Sequence, residues 1–284
     1  SFIRKKFIQL CRFLGYEIID QNLFEIPTLN KKIGQNLSMA GIKSINIPLG
    51  EVKITKKIKN LSVYLRTCSK VNLWNQGKKR IFEEPKSEYS LRSLFSILKS
   101  MEFAKENLPT INLELIIIDD NSDENFIENL DSLIKKFNIK SSIINLDKNE
   151  FKNITRDSNF SSILKSYVHA KQKAKDIIYF VEDDYIHEKI AIHEMLLTYE
   201  RLCSQLQTDI IIFPVDYPFL YTQNSETFVL LGNNRHWRKT DQSLATLLLS
   251  KEMLLNYWKK FNEFATVVYD PAEKPLHEIY EQET

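Results

Sequence analysis

From Ile58 onward, short apolar runs alternate with stretches whose apolar positions recur at helical intervals. That is the pattern of strands and helices following one another in a βαβ sheet. Leu61-Ser62-Val63-Tyr64-Leu65 reads as a first strand, and residues 88–105 as a helix with Leu91, Leu94, Phe95, Leu98, Met101 and Phe103 on its apolar side. Residues 113–118 form a second strand, 126–137 a helix, 142–146 a third strand and 161–173 a helix. Asp176-Ile177-Ile178-Tyr179-Phe180-Val181 is then a fourth, buried strand. Continuously apolar strands separated by helices predict a mostly parallel sheet covered on both faces. Further on, the pattern predicts a helix over 187–206, strands over 209–218, 226–231 and 244–249, and a helix over 251–261.

The first 57 residues differ. Phe2 to Leu14 is a basic amphipathic helix with apolar residues at 3, 7, 10, 11 and 14, ended by Gly15. Such a helix could lie on an anionic membrane surface, or pack on the main domain or another subunit. Residues 15–57 hold Pro27, Gly34, Gly41, Pro48 and Gly50 among short apolar stretches and read as irregular. The expected organisation is an N-terminal helical and irregular extension over 1–57, and one domain over 58–284.

Composition narrows the function classes. A net charge of +2, from 39 basic and 37 acidic side chains, gives no case for a nucleic-acid partner. Cys11, Cys68 and Cys203 are widely separated and lack zinc spacing, which fits a reducing, cytoplasmic setting. The longest apolar runs are strand-sized, far below the roughly 20 residues of a membrane span. Because the first residue is Ser1, an upstream segment is left open.

Chemistry concentrates at two strand ends. The second strand ends in Asp119-Asp120-Asn121-Ser122-Asp123 and the fourth in Glu182-Asp183-Asp184. Adjacent like charges beside a core are costly, so a cation should compensate the triplet, and oxygen-only ligands suit Mg²⁺ or Mn²⁺. Ligands of open α/β sheets bind at the C-terminal ends of strands. The plainer alternatives are a solvated acidic turn at 182–184 and a helix cap at Ser122 or Asp123.

In order and spacing, the strand Leu61 to Leu65 with Arg66-Thr67-Cys68-Ser69, the Asp119-Asp120-Asn121-Ser122 strand end and Glu182-Asp183-Asp184 resemble three motifs of GT-A glycosyltransferases. These are the opening strand, the D-D-x-S strand end and the DXD-type motif, and the nearest look is to glycosyltransferase family 2 and its bacterial polysaccharide-building relatives. The resemblance covers about residues 58–284. It implies an α/β GT-A fold, a Rossmann-like, mostly parallel nucleotide-binding sheet flanked by helices. It also implies sugar transfer from a nucleotide-sugar donor, a UDP-sugar, to a glycan or lipid-linked acceptor, with inversion. Arg66, Thr67, Asp119, Asp120 and Asp183 would bind the donor, with Asp120 on the base and Asp183 at the ribose or first phosphate. Asp184, with Glu182, would hold Mn²⁺ or Mg²⁺ against the diphosphate. Arg66 and Cys68 depart from the family's usual Pro and Tyr; Arg66 would contact phosphate or pair with Asp119 or Asp120.

The second half should supply the acceptor side. His236, Trp237 and Arg238 offer an aromatic face and cations for sugar or phosphate, or form a surface turn around a partly buried Trp. The resemblance implies a carboxylate base at the start of a late helix; Glu273 is favoured, with Asp270 and Asp241 behind it, and Asp270 alternatively caps beside Pro271. His277 is the available candidate for a third metal ligand, unless a later histidine follows Thr284. Two other classes stay open. A sugar-nucleotide nucleotidyltransferase would need a glycine-rich triphosphate loop, in a chain with 6 Gly. A non-catalytic nucleotide- or sugar-binding member of a polysaccharide-assembly complex would keep the fold and lose the base.

Overall fold

A computed structural model describes residues 2–14, 53–70, 84–147, 149–151, 158–215, 217 and 227–282. The chain divides into two compact units, Ser1–Lys53 and Ile54–Thr284. In the first, the described element is helix α1 (Phe2–Phe13). The segments 15–52 and 71–83, together with Asp216, Pro218 and Glu226, lie outside the described residues.

The second unit is a five-stranded sheet built from β1 (Asn60–Thr67), β2 (Asn112–Asp119), β3 (Lys140–Asn145), β4 (Ile177–Glu182) and β7 (Leu247–Ser250). Its order is β3-β2-β1-β4-β7; β1 to β4 are parallel and β7 runs antiparallel to β4. Helices α2 (Lys86–Asn107), α3 (Glu124–Ile134) and α4 (Ser158–Lys173) make the crossovers, and α5 (Ala191–Leu206) follows β4. This α/β arrangement fits the Rossmann-like GT-A fold.

Side-chain alternation along the strands splits the core in two. Leu61, Val63, Leu65, Leu115, Ile117, Ile177, Tyr179 and Val181 face one layer, shared with Leu94, Leu98 and Met101 of α2 and with Met195 and Tyr199 of α5. Tyr64, Ile116, Ile118, Ile178, Phe180, Leu247 and Leu249 face the other, with Leu164 and Tyr167 of α4 and residues of the C-terminal helices. Both faces are covered, which is why these strands read as unbroken apolar runs.

The later part departs from the sequence pattern in four places. Residues 187–190 precede α5 as a loop; the backbone N–H of His187 bonds Ser96 Oγ at 2.9 Å and that of Ile192 bonds Ser100 Oγ at 2.9 Å, so α2 holds the loop and the start of α5. The strand expected over 209–218 reduces, among its described residues, to one bridge, Ile212 to Leu248. Asp209 there is taken by Ser250 Oγ at 2.7 Å and Lys56 at 2.7 Å. His236–Arg238, expected as a turn or loop, is strand β6, paired antiparallel with β5 (Val229–Leu231). The helix expected over 251–261 is two, α6 (Lys251–Asn256) and α7 (Trp258–Thr266), separated at Tyr257. Helix α8 (Lys274–Gln282) closes the fold.

Candidate functional site

The strand order reverses between β1 and β4. The chain steps from β1 outward through β2 to β3, then returns to the other side of β1 with β4. Such a switch point opens a crevice at the C-terminal strand ends, because the flanking crossovers leave in opposite directions. Here the ends are Arg66-Thr67-Cys68 on β1 and Glu182-Asp183-Asp184 on β4, with Arg66 and Glu182 register partners. On the other side of β1, Thr67 is the register partner of Asp119.

The three carboxylates at the end of β4, Glu182 in the strand and Asp183 and Asp184 in the turn after it, meet different surroundings. Glu182 lies on the α4 side, where it accepts a 2.7 Å bond from the Arg66 guanidinium. Arg66 is buried, and its other terminal nitrogen donates to Asn159 Oδ1 at 2.7 Å and Ser162 Oγ at 3.3 Å on α4. Asp183 is buried against α2. It is paired with the Lys86 ammonium and accepts from Ser90 Oγ and, at 3.4 Å, from the Cys68 backbone N–H. Asp184 opens to solvent. Protein packed around its carboxyl raises its pKa above the ordinary value; the charges of Glu182 and Asp183 act in the same direction, while Lys86 and Arg66 pull it down.

The second acidic strand end divides in the same way. Asp119 is buried, and both its oxygens are engaged: Oδ1 accepts from Thr67 Oγ1 at 2.9 Å and Oδ2 from the Ser122 backbone N–H at 2.9 Å. It closes the turn that leads into α3. Asp123 takes the N-cap position of that helix without a side-chain capping bond. The neighbouring Asp120 accepts from Asn121 Nδ2 at 3.1 Å, while Asn121 itself sits at φ 52, a left-handed conformation that Asn tolerates. Ser69 ties the exits of β1 and β2 together: its N–H bonds Ser122 Oγ at 2.8 Å and its Oγ accepts from the Asp123 N–H at 3.1 Å.

Beyond Asp184 the chain turns through Tyr185, which shares a 2.9 Å hydrogen bond with Tyr217. Burial pushes the Tyr217 phenol up, the bond with Tyr185 opposes this, and the charges of Glu182, Asp184 and Glu273 push it further up. Glu273, immediately before α8, therefore shares an electrostatic neighbour with the triplet. Tyr185 also lines a cleft of about 1260 Å³, with Tyr179, His187, Ile212, Trp237 and Tyr280 among its walls.

The remaining predicted residues separate from this centre. Trp237 is half-buried and donates its indole N–H to Glu194 at 3.2 Å, so it is held as part of the hairpin. His236 is exposed and Arg238 half-buried, and both border the cleft. Asp241 and Asp270 are exposed, and no bond among the described residues ties either to the strand-end carboxylates. His277 Nε2 lies 3.1 Å from the Ser243 carbonyl, the ordinary hydrogen-bonded role. Among the described residues no three His, Cys, Asp or Glu side chains gather as a metal cage. A hard divalent cation that binds through one or two carboxylates plus substrate phosphates and waters does not need such a cage, and exposed Asp184 beside Glu182 fits that mode.

Sequence reasoning missed Lys86, Ser90 and the Asn159–Ser162 pair. A signal for Ser90 was present: Ser90, Ser93, Ser96 and Ser100 recur at helical spacing along the buried side of α2. Three of them bond to the segment from Asp183 to Ile192.

No protein-family model and no curated protein matches the chain. Among solved structures it is similar to S. aureus TarS 1-349 in complex with UDP, at 16% identity and a TM-score of 0.39, covering 73% of this chain and 55% of that one. It is also similar to M. tuberculosis glucosyl-3-phosphoglycerate synthase, at 12% identity and a TM-score of 0.32, covering 69% and 58%. A third is the apo bifunctional glycosyltransferase WbbM, at 12% identity and a TM-score of 0.38, covering 79% and 36%. The chain thus spans less than two thirds of each of these structures. At such scores and identities the likenesses carry no weight for function, which rests on the geometry of the strand ends.

Proposed function

We propose that the chain transfers a sugar from a nucleotide-sugar donor, a UDP-sugar, to an acceptor hydroxyl, with inversion at the anomeric carbon. The observation that carries this reading is the pair Asp120 and Asp184 at the ends of β2 and β4, on either side of β1 at the point where the strand order reverses. A crevice there suits a nucleotide diphosphate. Asp120 would accept from the base, and the β1 exit from Thr67 to Ser69 would lie along the nucleoside. Asp184, with Glu182 behind it, would hold Mn²⁺ or Mg²⁺; when bound, the cation would offset charge growing on the leaving diphosphate. Arg66, Asp119 and Asp183 would act by holding the strand ends in place. The acceptor, a glycan or lipid-linked hydroxyl, would enter from the cleft beside Tyr185, with His236 and Arg238 at its border, and Glu273 would take its proton.

Internal engagement of Glu182 and Asp183 favours one alternative, a non-catalytic nucleotide-binding module. Thermal unfolding with UDP-, GDP-, CMP- and dTDP-sugars plus Mn²⁺ tests the binding. Stabilisation by one nucleotide class is expected, and none with any nucleotide would overturn the reading. Release of UDP from the stabilising donor on addition of acceptor separates transferase from binding module.

A further inference from the structure

We infer that Arg66 and Lys86 are built-in counter-ions that make divalent-metal binding conditional on the nucleotide diphosphate. This rests on the proposed metal-assisted donor site and adds an order to it. Three consecutive carboxylates would by themselves attract a divalent cation strongly. Two of them are already matched, from opposite faces of the sheet: Glu182 by Arg66 on the α4 side and Asp183 by Lys86 on the α2 side. One uncompensated negative charge remains within the triplet, on solvent-facing Asp184.

Neither cation is free to leave its partner cheaply. Arg66 is 8% exposed, with both terminal nitrogens engaged, and removing it from Glu182 would strand a partly buried carboxylate. Lys86 shares Asp183 with Ser90 Oγ and the Cys68 N–H, so that carboxylate is held by three donors, two from α2 and one from the residue that follows β1. The two cations therefore stay in place and repel an entering metal. Asp184, with Glu182 behind it still tied to Arg66, supplies too few oxygens to hold Mg²⁺ or Mn²⁺ against them. A diphosphate brings further anionic oxygens, so metal and nucleotide bind as coupled ligands, each raising the other's affinity by the same factor.

The test reads metal uptake and needs no turnover. Free Mn²⁺ is titrated by electron paramagnetic resonance at pH 8, with and without UDP, on the full chain and on Lys86→Met and Arg66→Gln. The wild type should take up Mn²⁺ with UDP and negligibly without it. Each variant should gain nucleotide-free affinity by roughly tenfold, as expected for deleting one positive charge near the metal, and should show a smaller effect of UDP. Merely structural damage would weaken uptake, so the gain is diagnostic. If Arg66→Gln does not fold, Lys86→Met alone decides. Equal wild-type uptake with and without UDP, or unchanged nucleotide-free affinity in Lys86→Met, overturns the inference and leaves the donor site standing. Absence of uptake under every condition overturns the metal assignment together with it.

Discussion

The indole N–H of Trp237 donates to Glu194 Oε1 at 3.2 Å, so a buried carboxylate on α5 holds the β5–β6 hairpin from beneath. The same carboxylate accepts from the backbone N–H groups of Asn233 at 3.0 Å, Asn234 at 2.7 Å and Arg235 at 3.1 Å, and from Thr198 Oγ1 at 3.1 Å. Gly232 lies so close that an added Cβ would meet Thr198 Oγ1 at 2.4 Å and the indole nitrogen at 2.5 Å. Glu194 is the anion of an internal anion site, and the backbone N–H groups of 233–235 with Thr198 and Trp237 are its receptor.

Replacing Glu194 by Gln keeps the volume and removes the charge that five donors address. Stability should fall by about 1.5–3 kcal/mol, the range for hydrogen bonds to a charged group, measured by urea unfolding at pH 7. Burial raises the Glu194 pKa, but the bonds from Asn234, Trp237, Thr198 and Arg235 outweigh it and hold the group below its ordinary 4.5. A depressed carboxylate contributes stability above its unfolded pKa and loses it as pH falls through the folded value. The wild type should therefore lose stability below about pH 4.5 more steeply than Glu194→Gln; equal slopes would contradict the assignment.

His187 should give the opposite buried group, one kept neutral. Burial lowers its pKa from 6.5 to about 4, the nearby Tyr185 backbone opposing this only in part, and Nε2 lies 2.8 Å from the Tyr179 hydroxyl. Below pH 6.5 the unfolded chain takes up a proton that the folded chain refuses until about pH 4. Stability should decline across that window by about 3 kcal/mol, at roughly 1.4 kcal/mol per pH unit. His187→Gln should flatten the decline, read as melting temperature against pH; an unchanged profile would place the titrating group elsewhere.

The strands, the crossover helices and both acidic strand ends were legible because each depends on local pattern: an apolar run of strand length, a helical period, carboxylates directly after the run. What was not legible depends on register. Arg66 and Glu182 stand 116 residues apart, and only the parallel pairing of β1 with β4 makes them opposite; Asp119 or Asp120 looked equally reachable along the sequence. Trp237 read equally as a sugar platform or as a partly buried turn residue, because its partner, Glu194, lies on a helix where an acidic first-turn residue is ordinary. The segment after Asp209 looked like a strand because its Ile and Phe residues are strand formers, yet its described part keeps one bridge while Asp209 is committed to Ser250 and Lys56.

Asp184 carries a cost that its proposed ligand would offset. A carboxyl whose folded pKa is raised destabilises the fold once pH climbs through that value, so its charge is unfavourable at neutral pH. Asp184→Asn should therefore raise the nucleotide-free melting temperature slightly, by up to about 1 kcal/mol of stability after solvent screening at an exposed site. The same variant should lose the extra stabilisation that Mn²⁺ adds to UDP. Full retention of that increment would mean that Asp184 is a turn residue only.

Glu273 precedes α8 by one residue, and its backbone carbonyl accepts from Leu276 N at 2.8 Å and His277 N at 3.0 Å, so the helix start fixes its position. Its charge acts on Tyr217, the residue that also senses Glu182 and Asp184, whereas no bond among the described residues ties exposed Asp241 or Asp270 to that cluster. A base for the acceptor has to sit across the sugar from the diphosphate, near the carboxylate end of the crevice without belonging to it. Glu273→Gln should leave UDP and Mn²⁺ binding intact and lower kcat by about 10²- to 10⁴-fold, the usual contribution of a positioned base. Loss of UDP binding together with kcat would make Glu273 a structural residue of the α8 start. Full activity would transfer the role to Asp241 or Asp270, whose own Asn variants would then show the fall in kcat.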